Sequence, residues 1–302
     1  MAPSEAIQRS PARALVSAMR PRQWVKNGLI VVAPAAAGTL LHGDVARHTI
    51  VAFLAFCFVA SGIYLLNDLR DKVADQAHPT KRYRAIASNE LSARSAIVAA
   101  VLLLVIGFLL PLSVPRPGDL FLVLGLYVAI TLAYVYWLKS VAIIELGAVA
   151  SGFFLRAYAG AAASHIYVST WFLMVISFGA LFLVVGKRAS ELKTVGVGMT
   201  RGVLSEYTSE FLSSALTLCA TAVVTAYCLW AFDTAYTGLS ANLDATFPVR
   251  VSVVPVVFAV LFILRSAQEG HGAAPEELLL RNRTVQLLLL VWVVLMIFGV
   301  YE

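Results

Sequence analysis

Long apolar runs recur along the whole chain, each near the roughly 20 residues that an α-helix needs to cross a bilayer. Hydrophobic residues make up 60% of the 302 residues and charged residues 13%, unlike an ordinary soluble domain. The run 97–110 is continuously apolar, whereas the strands of a membrane β-barrel alternate. The sequence therefore predicts an all-α, polytopic membrane helical bundle in one domain, 1–302. Its nine predicted spans are 24–41, 48–66, 95–113, 119–138, 141–163, 171–186, 212–232, 249–265 and 284–301.

The basic residues predict how the bundle lies in the membrane. Nineteen of the 23 Lys and Arg residues lie before or at the start of the first run, or at or after the ends of the second, fourth, sixth and eighth runs. By the positive-inside rule these parts of the chain are cytoplasmic, including the N-terminal segment 1–23, and the C-terminus is outside. We therefore expect a multi-pass protein of the plasma (inner) membrane. The net charge of +6 lies mainly in the cytoplasmic segments, where we expect it to attract anionic membrane lipids. The sequence contains no motif for reading nucleic acid.

Two polar loops lie on this cytoplasmic side, the first loop (67–94) and the second loop (187–211), and we expect them to enclose an active-site cavity. The first loop opens with a carboxylate cluster and continues with three cations. The cluster consists of the carboxylates of Asp68, Asp71 and Asp75 with the amide of Asn67 beside them, and the cations are Lys81, Arg82 and Arg84. If the preceding helix continues, steps of three and four residues place the carboxylates on one face. Mg²⁺ is typically held by one or two carboxylates together with substrate phosphates, so the sequence predicts a magnesium diphosphate site.

The second loop opens with Lys187, Arg188 and Glu191. If the sixth span extends as a helix, Lys187 and Glu191 lie one turn apart on the same face. Read alone, this pattern is equally well explained by a positive-inside anchor with a solvated ion pair worth under about 0.5 kcal/mol. Placed beside the first loop, it favours a second set of charges around one cavity.

Arg156 lies well inside the fifth apolar run. A cation in a membrane span costs several kcal/mol unless it is paired or faces a wet cavity. Two explanations stay open: Arg156 binds an anionic substrate group, or it makes a structural bond to a carbonyl or carboxylate elsewhere in the bundle.

The pairing of loops after the second and sixth spans resembles the UbiA superfamily of intramembrane prenyltransferases. The first motif of that superfamily, N-D-x-x-D-x-x-x-D, is matched at Asn67, Asp68, Asp71 and Asp75. The resemblance covers the whole chain and implies nine spans and Mg²⁺ as cofactor. Members carry a second aspartate-rich motif where this chain has two cations and Glu191. That difference lowers the capacity for a second Mg²⁺ and raises the capacity to hold a phosphate directly.

Four separate blocks resemble one branch of the superfamily, the decaprenyl-phosphate phosphoribosyltransferases. The blocks are 20–27, 75–82, 152–156 and 187–191. This resemblance implies that phosphoribosyl diphosphate (PRPP) is the donor, that a polyprenyl phosphate such as decaprenyl phosphate is the acceptor, and that the product feeds cell-wall arabinan. The chain departs from the R-P-I-A-x-G pattern of the first loop at Ala85 and Asn89.

Roles can be given to the residues on this basis. The three aspartates would hold Mg²⁺ and Asn67 would orient a ligand or a water. The candidates for binding the phosphates of PRPP and of the lipid are Arg22, Lys26, Lys81, Arg82, Arg84, Arg156, Lys187, Arg188 and Glu191. Two other functions stay open, a conventional prenyltransferase with a prenyl diphosphate donor and a transporter. A homo-oligomer is compatible with the sequence.

Overall fold

The computed structural model describes residues 10–195, 202–236, 243–270 and 282–301, and all regular structure in those ranges is helical. Short 3-10 helices and turns join the α-helices. The α-helices are α1 (Pro11–Met19), α2 (Val32–Ala36), α3 (Gly43–Arg70), α4 (Lys72–Gln76), α5 (Ala93–Leu109), α6 (Pro117–Tyr136), α7 (Ile144–Ser164), α8 (Thr170–Val195), α9 (Ser209–Tyr236), α10 (Leu243–Val251), α11 (Val253–Gln268) and α12 (Arg283–Tyr301). The predicted all-α class is confirmed for these residues.

Within the described ranges, eight helical segments are long and apolar enough to cross a membrane. They coincide with the second to ninth predicted runs. The segments are α3, α5 with the 3-10 turn Leu110–Ser113, α6, α7, α8, α9, the end of α10 together with α11, and α12. Large apolar side chains such as Leu102, Leu218 and Leu287 are exposed on their outer faces, as expected for a bundle surrounded by lipid. The membrane helical bundle is therefore confirmed.

The first predicted span, 24–41, is not a continuous α-helix. It consists of the end of a 3-10 helix, Pro21–Val31, followed by the five-residue α2. Asn27 and Gly28 are weak helix formers, and Pro34 has no backbone N–H to donate. Eight long spans are thus observed where nine were expected, and a ninth crossing by this segment stays a prediction.

Helix α8 continues beyond its apolar part to Val195, so the helical extension predicted for the start of the second loop is confirmed. The ends of four helices meet at this end of the bundle. Arg70, the last residue of α3, donates to the backbone carbonyls of Val135 and Tyr136 at the end of α6. Arg188 near the end of α8 pairs with Glu145 in the first turn of α7. The first loop and the start of the second loop therefore lie at the same end of the bundle.

Helix α7 is the central element of the fold. Its Leu155 and Ala159 belong to a buried apolar cluster with α3 and α6. Its Leu146 and Ala150 belong to a second buried cluster with α8, α9 and α11. Because α7 packs against both of these apolar clusters, its position determines how the two loops face each other.

Gly160 lets the 3-10 helix approach the backbone of α7. A Cβ atom built on this residue would collide with the carbonyl oxygen of Ile30 and lie 2.9 Å from Cδ of Pro34. Small residues commonly mark such close helix contacts in membrane proteins. Because Gly160 has no side chain, the 3-10 helix that carries Asn27 can pack directly against α7.

Replacing Gly160 by Ala should destabilise the protein by about 1–3 kcal/mol, because the 3-10 helix must move to admit the methyl group. The measurement is the midpoint of thermal unfolding in detergent. Gly179→Ala in α8 is the matched control, since nothing lies within 4 Å of a Cβ built there. A Gly160→Ala protein as stable as Gly179→Ala would contradict the close approach.

Candidate active site

Arg84 joins two buried carboxylates of the first loop. Asp68 in the last turn of α3 and Asp75 in α4 are each 3% exposed. Nη1 of Arg84 lies 3.3 Å from Oδ1 of Asp68 and 2.7 Å from Oδ2 of Asp75. Ile86, which is fully buried in an apolar cluster with α1, α3 and α5, anchors the chain just after Arg84. One guanidinium nitrogen therefore holds together two side chains that are seven residues apart.

The three aspartates do not all meet at Arg84. Helix α3 ends at Arg70 and Asp71 has a ψ of 3° before α4 begins, so the expected helix is interrupted at one residue, although the N–H groups of Asp71 and Asp75 still donate to carbonyls four residues earlier. Asp is a weak helix former, and the side chain of Asp71 is engaged outside the helix, where its Oδ1 lies 3.4 Å from Nζ of Lys139. Both side chains of this pair are partly exposed. Asp68 and Asp75 thus converge on Arg84, whereas Asp71 turns towards the connection between α6 and α7.

Arg20 places a second cation on Asp68. Its Nη2 lies 2.5 Å from Oδ1 of Asp68, and its guanidinium lies 5.0 Å from the centre of the Tyr64 ring. The backbone of Arg20 is left-handed, with φ 55° and ψ 58°, which is uncommon outside glycine. Sequence reasoning assigned Arg20 no role. Its only signal was its place in the block 20–27.

The turn after Arg84 depends on a second left-handed residue. Asn89 has a φ of 63°, and the turn is closed by the N–H of Leu91, which donates to the carbonyl of Ala85 at 2.9 Å. Asn is among the few residues besides Gly that tolerate this conformation. The departure from glycine noticed in the sequence is therefore compatible with the turn that sets Arg84 in place.

The residues of the first loop fit a divalent cation in their chemistry. Carboxylate oxygens are the ligands that Mg²⁺ prefers, and two are enough when phosphates and water complete the shell. In this structure the point shared by Asp68 and Asp75 holds the guanidinium of Arg84. Among the described residues, no three His, Cys, Asp or Glu side chains converge as a metal site. A cation could take this position only if Arg84 found another anionic partner.

Arg188 in the second loop is balanced by two carboxylates. Its Nε and Nη2 each donate to one oxygen of Glu145 at 2.8 Å, and its Nη1 donates to Glu191 at 2.7 Å. Lys187 lies 3.9 Å from Glu191, one turn away as predicted, with its side chain about half exposed. Lys187 is therefore the more accessible of the two cations. Glu145 was not among the predicted site residues, because a lone Glu in a first turn has no distinguishing pattern.

Arg156 is not brought to the carboxylates. It is buried in α7, where its three donor nitrogens reach Oδ1 of Asn27, the carbonyl of Gly152 and the hydroxyl of Tyr127 at 2.6–2.8 Å. Arg156 lies eleven residues along α7 from Glu145, which is about 16 Å of helical rise. Arg156 therefore lies about three helical turns deeper in the bundle than the two loops, where it bonds to neutral groups including a carbonyl. Its contact with a substrate phosphate stays a prediction.

The remaining predicted residues lie in the first loop itself and in the 3-10 helix Pro21–Val31. Asn67 and Lys26 are half-buried, whereas Arg22, Lys81 and Arg82 are exposed. Arg82 donates to the neighbouring Tyr83 hydroxyl at 2.7 Å. Residues 196–201 of the second loop and 1–9 of the N-terminal segment lie outside the described residues.

A cavity of about 440 Å³ opens between α8, α9 and α11, against Lys193, Glu210 and Gln268. None of the predicted site residues lines it. The expected cavity between the two loops therefore stays a prediction.

Known proteins resemble this chain over nearly its whole length. Residues 29–281 match the UbiA prenyltransferase family. The decaprenyl-phosphate phosphoribosyltransferase of Corynebacterium glutamicum is 39% identical over 295 residues, which cover 96% of this chain and 87% of that protein. A relative of the same name from Mycolicibacterium smegmatis is 41% identical over 287 residues, which cover 92% of this chain and 90% of that protein.

Solved structures show the same fold at low sequence identity. A UbiA homolog from Archaeoglobus fulgidus bound to DMAPP and Mg²⁺ has a TM-score of 0.67 and 15% identity, and the match covers 95% of this chain and 97% of that one. A structure of a digeranylgeranylglyceryl phosphate synthase also has a TM-score of 0.67, with 11% identity over 96% of this chain and 99% of that one. At these identities the likeness concerns the fold alone.

Replacing Asn89 by Ala should lower the free energy of unfolding by about 1–2 kcal/mol, because Ala is strained at positive φ. Asn89→Gly should be as stable as the original protein or slightly more stable, since Gly adopts this conformation freely. Thermal unfolding in detergent measures both, and Ser88→Ala is the neighbouring control without a positive φ. Equal stability of the Ala and Gly variants would contradict the left-handed turn.

Proposed function

Because the chain belongs to the UbiA prenyltransferase family, we propose that it transfers the 5-phosphoribosyl group of PRPP to a polyprenyl phosphate, with release of diphosphate. The observation that carries this proposal is 39–41% identity, over more than nine tenths of the chain, to proteins named decaprenyl-phosphate phosphoribosyltransferase. Decaprenyl phosphate is accordingly the proposed acceptor, and the product would supply arabinose for cell-wall arabinan. The resemblance noted in the motifs is thereby confirmed at the level of the family.

The proposed reaction is a substitution at C1 of the ribose. An oxygen of the lipid phosphate forms the new bond to C1, and the bond from C1 to the diphosphate breaks, with its electron pair leaving on the diphosphate. The attacking oxygen is already ionised at neutral pH, so no side chain has to remove a proton. Attack opposite to the leaving group would convert the α-configured donor into a β-linked product.

The first loop would receive the leaving group. A divalent cation bound to Asp68 and Asp75, with Asp71 as a third ligand once it leaves Lys139, would neutralise the charge that develops on the departing diphosphate. Arg84 and Arg20, which now balance these carboxylates, would then turn to phosphate oxygens of the donor. Guanidinium groups bind phosphates through paired hydrogen bonds, so this exchange keeps every charge matched. Donor and metal are therefore expected to bind together.

Two lysines are placed to contact the remaining phosphates. Lys139 and Lys187 have side chains that are 40% and 49% exposed, and each pairs with one partly exposed carboxylate. Such exposed pairs are weak, worth about 0–1 kcal/mol, and are easily exchanged for a substrate phosphate. Arg188 is less available because Glu145 and Glu191 already satisfy it. A cationic second loop that holds phosphate directly supports PRPP over a donor that needs a second metal.

The proposed orientation puts both loops in the cytoplasm. PRPP is water-soluble and highly charged, so it must enter from the aqueous side, while the polyprenyl chain stays in the bilayer. The positive-inside pattern supports the cytoplasm as that side. The plasma membrane is the proposed location.

Purified protein in detergent should transfer label from radiolabelled PRPP to the organic phase when a long-chain polyprenyl phosphate and Mg²⁺ are present. EDTA should abolish the transfer, because the diphosphate would leave without a compensating cation. Scintillation counting of the extracted lipid measures the product.

The same protein is offered a prenyl diphosphate and a small aromatic acceptor as the control. Turnover of the prenyl diphosphate, with no label from PRPP in any polyprenyl phosphate, would contradict the proposal and identify a conventional prenyltransferase. Active PRPP turnover would exclude a pure transporter.

Asp71→Asn should abolish Mg²⁺-dependent turnover while leaving thermal stability almost unchanged. Asp71 is partly exposed and pairs with the half-exposed Lys139, so the fold loses at most about 1 kcal/mol. Initial rates across a Mg²⁺ titration measure the effect. Asp44→Asn, an exposed carboxylate at the opposite end of α3, is the control. Normal activity of Asp71→Asn would remove Asp71 from the proposed metal site.

A further inference from the structure

Glu145 is a fully buried carboxylate that no substrate-binding role explains. It is 0% exposed, and both of its oxygens accept hydrogen bonds from Arg188 in a bidentate pair. Arg188 lies near the start of the second loop. Glu145 therefore ties this loop to the first turn of α7.

The other end of the second loop reaches the same place. The hydroxyl of the buried Tyr207 lies 3.4 Å from Oε1 of Glu145 and accepts the backbone N–H of Ile143 at 2.7 Å. Burial raises the pKa of the Tyr207 phenol, so the hydroxyl keeps the proton that it donates. Residues 188 and 207 are thus both fastened to the segment 143–145.

The fastening holds a strained backbone. Ile143 has a φ of 68° and a ψ of −47°, and a β-branched residue rarely adopts a positive φ. Strain of this kind persists only where neighbouring contacts hold it, and it is concentrated at functional sites. Here the holding contact is the hydroxyl of Tyr207.

The same short segment also holds the first loop. Lys139, four residues before Ile143, pairs with Asp71 at 3.4 Å. We name residues 137–145, which run from the end of α6 into the first turn of α7, the connector. The connector is therefore bonded to the first loop at one end and to both ends of the second loop at the other.

We propose that the connector couples the two loops and that Glu145 is its positioning residue. Glu145 touches no substrate: it holds Arg188 and Tyr207 so that Lys187 of the second loop and Lys139 of the connector face the donor that the first loop binds. This role rests on the proposed phosphoribosyl transfer. Stability alone does not account for Glu145, because a buried ion pair is often no more stable than an apolar pair of similar size.

Glu145→Gln keeps the shape of the side chain and removes its charge. Misplaced cations should raise the KM for PRPP about tenfold while kcat changes less than about threefold. A merely structural role would instead lower the amount of active enzyme and leave the KM unchanged. Tyr207→Phe, which removes one hydroxyl, should raise the KM in the same direction by a smaller factor, and it serves if Glu145→Gln does not fold. Asp119→Asn, an exposed first-turn carboxylate in α6, is the control with an unchanged KM.

Hydrogen–deuterium exchange of the substrate-free protein tests the coupling without any donor. In Glu145→Gln and in Tyr207→Phe, exchange should become faster in the connector and also in the first loop around 71–76. A change confined to the ends of the second loop and to 143–145, together with an unchanged KM for PRPP, would overturn the proposal. If the unmodified protein does not use PRPP at all, the proposed function fails, while the exchange pattern still decides whether the connector couples the loops.

Discussion

A charge inside an apolar helical bundle is stable only where other groups replace the water that it has lost. The end of this bundle that carries the two loops is organised around that constraint. Three carboxylates there are almost fully buried, namely Asp68, Asp75 and Glu145. Each is matched by an arginine from a different part of the chain. Because the pairs Arg20–Asp68 and Arg188–Glu145 join chain segments more than 40 residues apart, they also determine where the site lies.

The two loops use charge in opposite ways. In the first loop, buried acids are balanced by arginines, which we propose are exchanged for a divalent metal when donor phosphates bind. In the second loop, Arg188 is held by two acids and Lys187 is left more accessible. The first arrangement suits a leaving diphosphate with its metal, and the second suits a phosphate that binds directly. Between them, the connector contributes Lys139 to one loop and Glu145 to the other.

Much of this organisation could be predicted from local patterns. The second to ninth spans are continuous apolar runs, and hydrophobic length alone identifies a membrane helix. Lys187 and Glu191 lie one turn apart, as expected if α8 extends beyond its apolar part. An uninterrupted helix through Asp71 and a regular first span were not observed, because contacts with residues distant in sequence influence both. Lys139 engages Asp71, and Gly160 admits the 3-10 helix against α7.

Arg20, Lys139 and Glu145 show why the rest was missed. In the sequence, Arg20 and Lys139 look like ordinary positive-inside residues, and Glu145 looks like an ordinary first-turn acid. The amino-acid sequence by itself determined the solvent, the helical class, the two loops and the resemblance to a family, because apolar run length and motif spacing are properties of neighbouring residues. The tertiary structure alone decided which cation meets which carboxylate and how the loops are joined, because such pairs are formed by side chains up to 68 residues apart that only packing around α7 brings within hydrogen-bonding distance.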